Sequence, residues 1–519
     1  MSDDMNGAES LVRTLIAGEV NVCFTNPGTS EMHFVAALDK VPGMRCVLGL
    51  FEGVVTGAAD GYYRMLGKPA STLLHLAPGL ANGLANLHNA KKADSGIVNI
   101  VGDHATYHLK FDAPLTADIE GAAAPMSHWV KTSPTSSTIA ADGALAIEAA
   151  NQRPGQIATL ILPADTAWGP AEAVGVTAPP AAPAKVSDDA VKAAAAMLSD
   201  SQTATLLMGG TSLCQKGLEL AGQIAAKTGC GILTEGANTR LERGAGRVQV
   251  NRIPYVVELA QAVMKKAGNL VLVGAREPVA FFAYPNKSSL LMDPDATSTK
   301  LAGTDQDMIG ALEALADELD CLNLAPTGMA QPSRSPLPTG ETTQGTIAQT
   351  LSAMLPEGAI VVDESVTTGR EFFPTTAGAP PHDWMNNRGG SIGYGLPVAV
   401  GAAIACPDRK VIALEGDGSA MYTIQSLWTM ARESLDITIL VFANGTYNIL
   451  RGELTNVGVQ NPGPRAVDML SIDRPSLDWV AMAKGMGVEA ARATNAEELN
   501  KAMEAGLHSE GPYLIEVAI

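Results

Sequence analysis

The chain has 519 residues, of which 46% are hydrophobic and 17% charged, and it carries a formal net charge of -19. With 52 Gly and 31 Pro, this composition is typical of a globular protein with many turns and excludes a disordered or fibrous one. The negative charge disfavours binding to nucleic acid or to an anionic membrane surface, so neither partner is expected. A bound phosphate group would therefore need backbone N–H groups, a helix N-terminus or a metal ion.

The cysteines and the N-terminal residues indicate where the protein resides. The six cysteines form neither a CxxC pair nor a regular spacing, so neither a zinc site nor a disulfide framework is predicted. The first residues, MSDDMNGAES, are acidic and lack the basic start and the apolar stretch of a signal peptide. No apolar run of about 18 residues follows. We therefore expect reduced thiols, no membrane span and a cytoplasmic location.

Two segments rich in Pro, Ala and Gly read as linkers, at 169–189 and 324–343. They divide the chain into predicted domains of residues 1–170, 186–325 and 340–519. Within each domain, short β-rich runs alternate with Ala-rich helical stretches. The runs are, in chain order, STLLHLA, GIVNIVG, TATLLMGG, NLVLVGA, AIVVDES, KVIALEGDG and ITILVFANG. This alternation predicts an α/β fold with three doubly wound parallel sheets.

The first and third domains also echo each other. The segment GVVTGAA at 53–59 matches part of GLPVAVGAAI at 395–404, which places Gly57 and Gly401 in equivalent positions. Self-similarity over such a distance indicates an internal repeat. We therefore interpret the outer two domains as copies related by duplication, with a different domain between them.

The segment GDGSAMYTIQSLWTMARESLDITILVFANGTYNIL places an aspartate turn after one strand and an asparagine turn after the next. Ligands bind beyond the carboxyl ends of the strands in an open parallel sheet. If the two strands are neighbours, Asp417, Asn444 and the backbone carbonyl near Thr446 converge on one ion. These hard oxygen ligands suit Mg²⁺ or Ca²⁺, with phosphate oxygens completing the shell. The alternative is two unrelated turns.

The residues around these ligands are predicted to hold the phosphate groups. Gly416 and Gly418 allow the backbone to approach phosphate oxygens closely, and Ser419 is predicted to begin a helix whose N–H groups point at them. Thr446 and Tyr447, in the asparagine turn, complete the predicted contacts on this side.

The two turns at this spacing resemble the thiamine diphosphate motif of the acetolactate synthase and benzoylformate decarboxylase superfamily, in which GDG is followed after about 25 residues by an asparagine pair. Ala443 stands at the first asparagine, and Asn444 matches the second, which binds the metal in that family. The resemblance covers essentially the whole chain, with pyrimidine-binding, central and diphosphate-binding domains in that order. It implies thiamine diphosphate and Mg²⁺, or Ca²⁺ in its place, as cofactors.

The resemblance also implies catalytic residues in the first domain. Glu52, in LGLFEGVV, matches the acid that hydrogen-bonds N1′ of the aminopyrimidine and so promotes loss of the C2 proton of the thiazolium. Thr29, in NPGTSE, matches a small hydroxyl residue that contacts the substrate carboxylate. His75, in LLHLAPG, matches a catalytic histidine of benzoylformate decarboxylase that acetolactate synthases lack. By residue type alone, Glu52 could instead stabilise a helix N-terminus and His75 could be structural.

In the third domain, Ile392 of NNRGGSIGYG resembles the bulky wedge that folds the two cofactor rings together, with Gly390 allowing close approach. The segment VVDES resembles a cofactor-binding loop of the family, which makes Glu364 and Ser365 candidate contacts.

Two departures from the family leave the substrate open. GAREPVAFFAYPN in the central domain holds Phe281 and Phe282 but no second catalytic histidine. VGDHATYH replaces the glutamine loop of the acetolactate synthases and places Asp103, His104 and His108 near the site. The central domain shows no clear FAD signature, so FAD is not expected, and no GxGxxG motif indicates a nicotinamide cofactor.

The resemblance therefore implies an enzyme that acts on a 2-oxo acid. Loss of CO₂ would leave a carbanion that is protonated to an aldehyde or joined to a second carbonyl. Family active sites lie between the first domain of one subunit and the third domain of another, so a homodimer or homotetramer is expected. The alternatives are a lyase for a 2-hydroxyacyl- or oxalyl-CoA-type thioester and a non-catalytic cofactor-binding homologue.

Overall fold

The computed structural model describes residues 5–200 and 203–519. The first four residues of the segment considered above for a signal peptide lie outside this part. The described chain forms three sheets of six, five and seven strands. Its strands are β1 (Val22–Asn26), β2 (Arg45–Leu48), β3 (Ala70–Leu74), β4 (Ile97–Asp103), β5 (Trp129–Thr132), β6 (Ile157–Pro163), β7 (Ala204–Met208), β8 (Gly231–Thr234), β9 (Leu241–Arg243), β10 (Asn251–Arg252), β11 (Asn269–Val273), β12 (Ser298–Ala302), β13 (Ile360–Glu364), β14 (His382–Asn386), β15 (Val411–Gly416), β16 (Ile437–Ala443), β17 (Glu489–Ala493) and β18 (Tyr513–Ala518).

Helices connect these strands and cover the sheets. They are α1 (Gly7–Ala17), α2 (Met32–Lys40), α3 (Glu52–Leu66), α4 (Leu76–Lys92), α5 (Ile119–Ala123), α6 (Ile139–Ala150), α7 (Ala164–Trp168), α8 (Asp188–Asp200), α9 (Gln215–Thr228), α10 (Val257–Ala267), α11 (Met308–Glu318), α12 (Gln344–Met354), α13 (Phe372–Thr375), α14 (Gly395–Ala405), α15 (Asp417–Ala420), α16 (Ser426–Arg432), α17 (Asn448–Asn456), α18 (Pro464–Asp468), α19 (Trp479–Gly485) and α20 (Ala496–Leu507). Short 3₁₀ helices lie at Thr29–Glu31, Leu109–Phe111, Gly210–Leu213 and Thr368–Glu371.

The outer two sheets have the same strand order. The first sheet runs β2-β1-β3-β4-β6-β5, and the third runs β14-β13-β15-β16-β18-β17, with β9 added beside β14. Counted within its own domain, each order is second, first, third, fourth, sixth, fifth. The pairings within these two orders are parallel, and all seven β-rich runs of the sequence form strands, so the predicted fold class is confirmed. The shared order is what a duplication of one doubly wound unit produces.

The repeated glycines lie where the outer domains touch. Helices α3 and α14, which follow the second strand of their respective domains, pack directly against each other. A methyl group at Gly57 would lie 2.5 Å from Cβ of Pro397, and one at Gly401 would lie 1.9 Å from the carbonyl oxygen of Ala58. A larger residue at either position would push the helices apart, because interiors leave no room for an extra methyl group. One continuous cluster of buried apolar side chains joins the two domains across this contact.

The central domain has a five-stranded parallel sheet, ordered β10-β8-β7-β11-β12. Strand β9 lies in the same region of the sequence but is not part of this sheet. It pairs antiparallel with β14 of the third domain. Its last residue, Arg243, is buried, and its guanidinium lies 3.9 Å from the ring centroid of Phe373. The central and third domains are therefore held together by a shared strand and a cation–π contact.

Burial at this junction lowers the pKa of Arg243 to about 9.

No helix within the described residues is long and apolar enough to cross a membrane.

Candidate active site

The aspartate and asparagine turns converge at the carboxyl edge of the third sheet. Strands β15 and β16 are parallel neighbours, so Asp417 lies directly beside the turn that follows Ala443. The Asp417 carboxylate accepts hydrogen bonds from Gly445 N at 2.7 Å and from Gly418 N at 2.8 Å. Burial raises the pKa of Asp417, and these N–H donors partly offset that rise. The carboxylate thus joins the two turns into one cradle.

The oxygen atoms in this cradle suit a hard divalent cation. The side-chain oxygen of Asn444 accepts from Thr446 N at 2.9 Å, which draws the amide into the turn. The Thr446 hydroxyl donates to Leu470 O and accepts from Arg451 Nε, and its backbone carbonyl, which accepts from Asn448 N at 3.0 Å, keeps a second lone pair for a metal. The described residues contain no cluster of three or more His, Cys, Asp or Glu side chains suited to a metal. A metal here would depend on one carboxylate, one amide, a carbonyl and phosphate oxygens, the ligand set that Mg²⁺ accepts.

The backbone after the aspartate turn differs from the prediction. The helix expected to begin at Ser419 begins at Asp417 instead and is a single turn of four residues. The next helix, α16, begins only at Ser426. The ring of Tyr447 lies against Gly418, where a methyl group would approach it to 2.5 Å, and a methyl group at Gly416 would lie 3.2 Å from Oγ of Ser419. The short turn supplies few N–H groups, so the glycines provide the close backbone approach.

The wedge loop, residues 387–393, connects β14 to α14. Gly390 has a φ of +76° and Gly393 a φ of +92°, conformations that favour glycine. Ile392 between them is 37% exposed, so it projects from the surface instead of packing in the core. The buried carboxylate of Glu364 accepts from Gly393 N at 3.0 Å and from Gly395 N at 2.9 Å. Glu364 therefore supports the wedge loop from beneath.

A second buried carboxyl group lies next to Glu364. Burial raises the pKa of Glu364 to about 7, even though backbone N–H donors from the loop lower it. Glu415 is fully buried, its two oxygens have no hydrogen-bond partner among the described residues, and burial raises its pKa well above the ordinary value. Ser365 is also buried, and its hydroxyl donates to Asp363 at 2.5 Å. The N–H of Ser365 also donates to Asp363, at 3.2 Å, so both donors of this residue are engaged within the protein.

Glu52 lies at the corresponding edge of the first sheet, as the first residue of α3. The side chain is buried, with 8% of the residue exposed, and so it is not a solvated helix-end acid. One carboxylate oxygen accepts from Asn82 Nδ2 at 3.0 Å. The other faces Gly79, where a methyl group would lie 3.2 Å from it. The structure therefore holds this carboxylate in an apolar recess at the sheet edge.

His75 follows β3 and pairs with a buried acid. Its Nδ1 lies 2.8 Å from Oε2 of Glu31, which also accepts from Gly28 N at 2.8 Å. Ser30 donates to the other Glu31 oxygen and lies 3.3 Å from Nδ1 of His75. An acid on Nδ1 fixes the tautomer and leaves Nε2 as the proton-accepting atom.

Thr29 and the backbone near His75 complete this edge. Thr29 is exposed in the turn that also holds Gly28. A methyl group at Gly28 would lie 2.1 Å from Nδ1 of His75, so this glycine lets the imidazole pack on the turn. Leu76, directly after His75, has a φ of +45°, which is a strained conformation for a bulky residue. The turn and the histidine are thus held in one rigid arrangement.

The other histidines considered in the sequence do not join this cluster. His104 and His108 stack on each other with ring centroids 5.4 Å apart, and Nε2 of His104 is buried without a hydrogen-bond partner among the described residues. Asp103 accepts from the backbone N–H of His104, and its pKa is raised by burial. His128 accepts from Ile157 N, and burial lowers its pKa, as expected of a structural histidine.

Sequence reasoning assigned no role to several residues that the structure places here. Glu31 lies in the NPGTSE segment three residues after Gly28, a spacing typical of a capping acid, and this was the available signal. Asn82 and Glu415 gave no signal of their own. The contact of Glu453 with Tyr255 and Tyr284 joins the third domain to the central one, and such distant pairs carry no local pattern.

Comparison with known proteins agrees with this geometry. Two family models match: the thiamine pyrophosphate enzyme N-terminal TPP binding domain at residues 5–126, and the C-terminal TPP binding domain at 371–517. The chain is 51% identical over 516 residues to the Mycobacterium tuberculosis protein named "Putative acetolactate synthase large subunit IlvX", covering 99% of both. It is 29% identical over 526 residues to benzoylformate decarboxylase of Pseudomonas aeruginosa, covering 95% of both.

A solved structure shows the same fold. The Rhodococcus jostii RHA1 thiamine diphosphate-dependent 4-hydroxybenzoylformate decarboxylase superposes with a TM-score of 0.87 at 23% identity, covering 99% of both chains. The two turns of the third domain, the buried glutamate of the first and the full-length relatives lead to one conclusion. The chain belongs to the thiamine pyrophosphate enzymes, in the group that contains the acetolactate synthase large subunits and the benzoylformate decarboxylases.

Proposed function

We propose that this protein is a Mg²⁺- and thiamine diphosphate-dependent enzyme that decarboxylates a 2-oxo acid, releasing an aldehyde or joining the product to a second carbonyl. The observation that carries the proposal is the hydrogen bond from Gly445 N to Asp417, which unites the two turns into one oxygen cradle. The names of the relatives refer to acetolactate synthesis and benzoylformate decarboxylation, and benzoylformate is a 2-oxo acid. They do not support a CoA thioester substrate, and the intact acidic groups argue against a non-catalytic homologue.

The third domain would hold the cofactor. Asp417, Asn444 and the carbonyl of Thr446 would bind Mg²⁺, and Ile392 and Gly390 would contact the rings. When bound, thiamine diphosphate supplies a carbon nucleophile and an electron sink for the loss of CO₂. Mg²⁺ would be the resident metal, with Ca²⁺ able to take its place because both prefer oxygen ligands. FAD is not expected to have a role.

The first domain would handle protons. Glu52 would hold a carboxyl group at a buried position where a hydrogen bond to a cofactor nitrogen is strong, because little water competes with it. Nε2 of His75 would accept or donate a proton, with Glu31 fixing the ring. Thr29, exposed on the same turn, would contact the carboxylate of the substrate.

The two halves would come from different subunits of a homodimer or homotetramer. Apolar side chains remain exposed beside the site residues: Leu50 lies just before Glu52, and Met421 and Tyr422 follow α15. Exposed apolar groups around a site indicate a surface that a second chain covers. The protein would reside in the cytoplasm.

Mixing two inactive variants tests the shared site. Glu52→Gln and Asp417→Ala homodimers would each be inactive, but a mixed dimer would contain one site with both residues intact. After subunit exchange, about a quarter of wild-type activity is expected, since half of the dimers are mixed and each has one working site. No recovery, despite exchange confirmed with tagged chains, would place the whole site within one chain.

The reaction itself is tested by CO₂ release with Mg²⁺ and thiamine diphosphate. Pyruvate, 4-methyl-2-oxopentanoate and benzoylformate form the panel, and products are analysed for aldehyde, acetolactate and acyloin. Release from at least one substrate supports the proposal. If the cofactors bind tightly in calorimetry but no 2-oxo acid releases CO₂, the proposal is wrong.

A further inference from the structure

A cluster of aromatic side chains in the central domain lies beside the wedge loop. Phe281 and Phe282 follow β11 in the chain and are 56% and 54% exposed. Their ring centroids are 4.9 Å apart, and the Tyr255 ring lies 5.7 Å from that of Phe281. Two adjacent phenylalanines this exposed are unfavourable in water unless something covers them. We call Tyr255, Phe281 and Phe282 the aromatic wall.

The aromatic wall touches the wedge loop directly. A methyl group at Gly390 would lie 2.5 Å from Cζ of Phe281, so the tip of the ring rests on the backbone of this glycine. Gly390 is two residues from Ile392, whose side chain also projects from the surface. The wall therefore stands on the loop that is proposed to contact the cofactor rings. The wall belongs to the central domain, whereas this loop, Asp417 and Asn444 belong to the third.

A carboxylate holds the wall against the third domain. Glu453, on α17, accepts from the Tyr255 hydroxyl at 3.2 Å and from the Tyr284 hydroxyl at 2.8 Å. Helix α17 follows the asparagine turn and has no buried residue, so these hydrogen bonds are a main attachment of the helix. Burial, the hydrogen bond with Tyr284 and the charge of Glu453 raise the pKa of Tyr255, which keeps the phenol protonated. Both phenol protons are thereby used within this three-residue contact.

The aromatic wall therefore presents an apolar surface beside the wedge loop. Phe281 and Phe282 have no polar atoms in their side chains, and the two tyrosine hydroxyls are turned to Glu453. Such a surface discriminates by size and shape, because an apolar pocket gains affinity from each carbon it covers. It offers no proton to the reaction, so proton transfer remains with groups of the first domain such as His75.

We propose that the aromatic wall packs against the carbon substituent of the substrate, which is a 2-oxo acid with a planar or branched apolar group and not pyruvate. This inference rests on the proposed function. Phe281 and Phe282 are then specificity-determining residues, and the Tyr255–Glu453–Tyr284 contact is the clamp that positions them.

The test compares Phe281→Ala and Phe282→Ala with a matched control, Val279→Ala. Val279 is apolar, similarly exposed and in the same loop, where it bridges to Leu290. We measure kcat/KM for pyruvate, 4-methyl-2-oxopentanoate and benzoylformate. In the wild type, one of the two larger substrates is expected to exceed pyruvate by about 10- to 200-fold. Phe281→Ala should lower kcat/KM for that larger substrate by about 10- to 100-fold and for pyruvate by less than about threefold, whereas Val279→Ala changes neither.

A binding measurement provides a readout other than activity. Mandelate, the unreactive 2-hydroxy analogue of benzoylformate, is titrated into the protein loaded with Mg²⁺ and thiamine diphosphate in a calorimeter. Its Kd should rise about tenfold or more in Phe281→Ala, while the Kd of thiamine diphosphate stays unchanged. Thermal melting confirms that each variant folds, which the exposure of these side chains leads us to expect.

The outcomes separate the inference from the function on which it rests. If the cofactors bind but the wild type turns over no 2-oxo acid, the proposed function fails and the inference fails with it. If 2-oxo acids react but pyruvate is preferred, or Phe281→Ala slows all three substrates equally, only the inference fails. If the alanine variants instead dissociate the oligomer in sedimentation without changing substrate preference, a second chain covers the wall and the inference is overturned.

Discussion

The carboxyl edges of the first and third sheets have the same strand order and different chemistry. The first edge carries two buried acids, Glu31 and Glu52, and the half-buried His75. The third edge places glycine turns and one amide around the carboxylate of Asp417, and it also holds the buried Glu364–Glu415 pair at the ends of two neighbouring strands. The comparison teaches that a repeated fold fixes where ligands can approach, while side chains decide what each edge does. Under the proposed function, the third edge would hold charged oxygen atoms and the first edge would move protons.

Removing the carboxylate of the third edge should have the largest effect. Asp417→Ala deletes the proposed metal ligand and the acceptor for Gly445 N, so both turns lose their common anchor. We expect Mg²⁺-dependent binding of thiamine diphosphate to weaken by about 100-fold or more, because even residues that only support metal ligands cost that much. Activity should fall below detection.

Calorimetric titration of thiamine diphosphate with and without Mg²⁺ measures this loss. Asp417→Asn serves as the control, since it retains one acceptor oxygen for the turn N–H groups but not the charge. Tight cofactor binding by Asp417→Ala would contradict the division of tasks between the edges.

Changing the acid of the first edge should separate binding from chemistry. Glu52→Gln keeps the shape and the contact to Asn82 but removes the proton-transfer group. We expect thiamine diphosphate to bind with nearly wild-type affinity, while kcat falls by about 10²- to 10⁴-fold, the usual contribution of general acid–base catalysis. Steady-state kinetics and calorimetry on the same preparation check both parts. Glu52→Asp should be intermediate, and unchanged turnover in Glu52→Gln would remove Glu52 from the mechanism.

The positioning acid of the first edge should have a smaller effect. Glu31→Gln retains a hydrogen-bonding side chain but no longer fixes the tautomer of His75. We expect kcat to fall by about 10- to 100-fold, part of the 10²- to 10⁴-fold that a well-placed acid–base group provides, with KM changed much less. In the double variant with His75→Asn, the Glu31 change should add little, because both act through one imidazole. Full additivity of the two changes in kcat would show that Glu31 acts independently of His75.

The sequence predicted what depends on local pattern. The seven β-rich runs became strands because buried parallel strands require continuous apolar residues, and the glycine-aspartate turn followed its strand as expected. Asp417 and Asn444 could be paired because neighbouring strands end at the same edge of a parallel sheet. Gly57 and Gly401 were recognised as equivalent, although not as the contact between α3 and α14.

What depends on distant partners could not be predicted. Strand β9 pairs with β14 across 139 positions (382 − 243), and nothing in its three residues indicates which sheet it joins. The helix at the aspartate turn begins at Asp417, two residues before the predicted start at Ser419, and it ends after one turn. The Glu364–Glu415 pair arises from strand register between β13 and β15, since the two residues are direct neighbours across those strands. Periodicity along one strand contains no information on such a neighbour.

That carboxyl pair allows the finest test of the third edge, through stability instead of catalysis. Glu415 has no hydrogen-bond partner among the described residues, whereas Glu364 accepts from two backbone N–H groups. Replacing an unsatisfied buried polar group by an apolar one of similar size is stabilising. Glu415→Leu should therefore raise the free energy of unfolding by about 1–3 kcal/mol at pH 7. Glu364→Leu should lower the free energy of unfolding by a similar amount, because the N–H groups of the wedge loop would lose their hydrogen-bond acceptor.

The pH dependence of the free energy of unfolding tests independently whether Glu415→Leu is stabilising. The folded-state pKa of Glu415 lies above its ordinary value of 4.5, so the folded protein keeps a proton that the unfolded chain releases as pH rises past 4.5. The contribution of Glu415 to the free energy of unfolding of the wild type therefore has its highest value below pH 4.5. Above pH 4.5 it falls by up to about 1.4 kcal/mol per pH unit. Leucine has no such dependence, so the advantage of Glu415→Leu should grow from pH 4.5 to 7 in urea unfolding. An advantage that shrinks over this range would mean that Glu415 is ionised and paired in the folded protein.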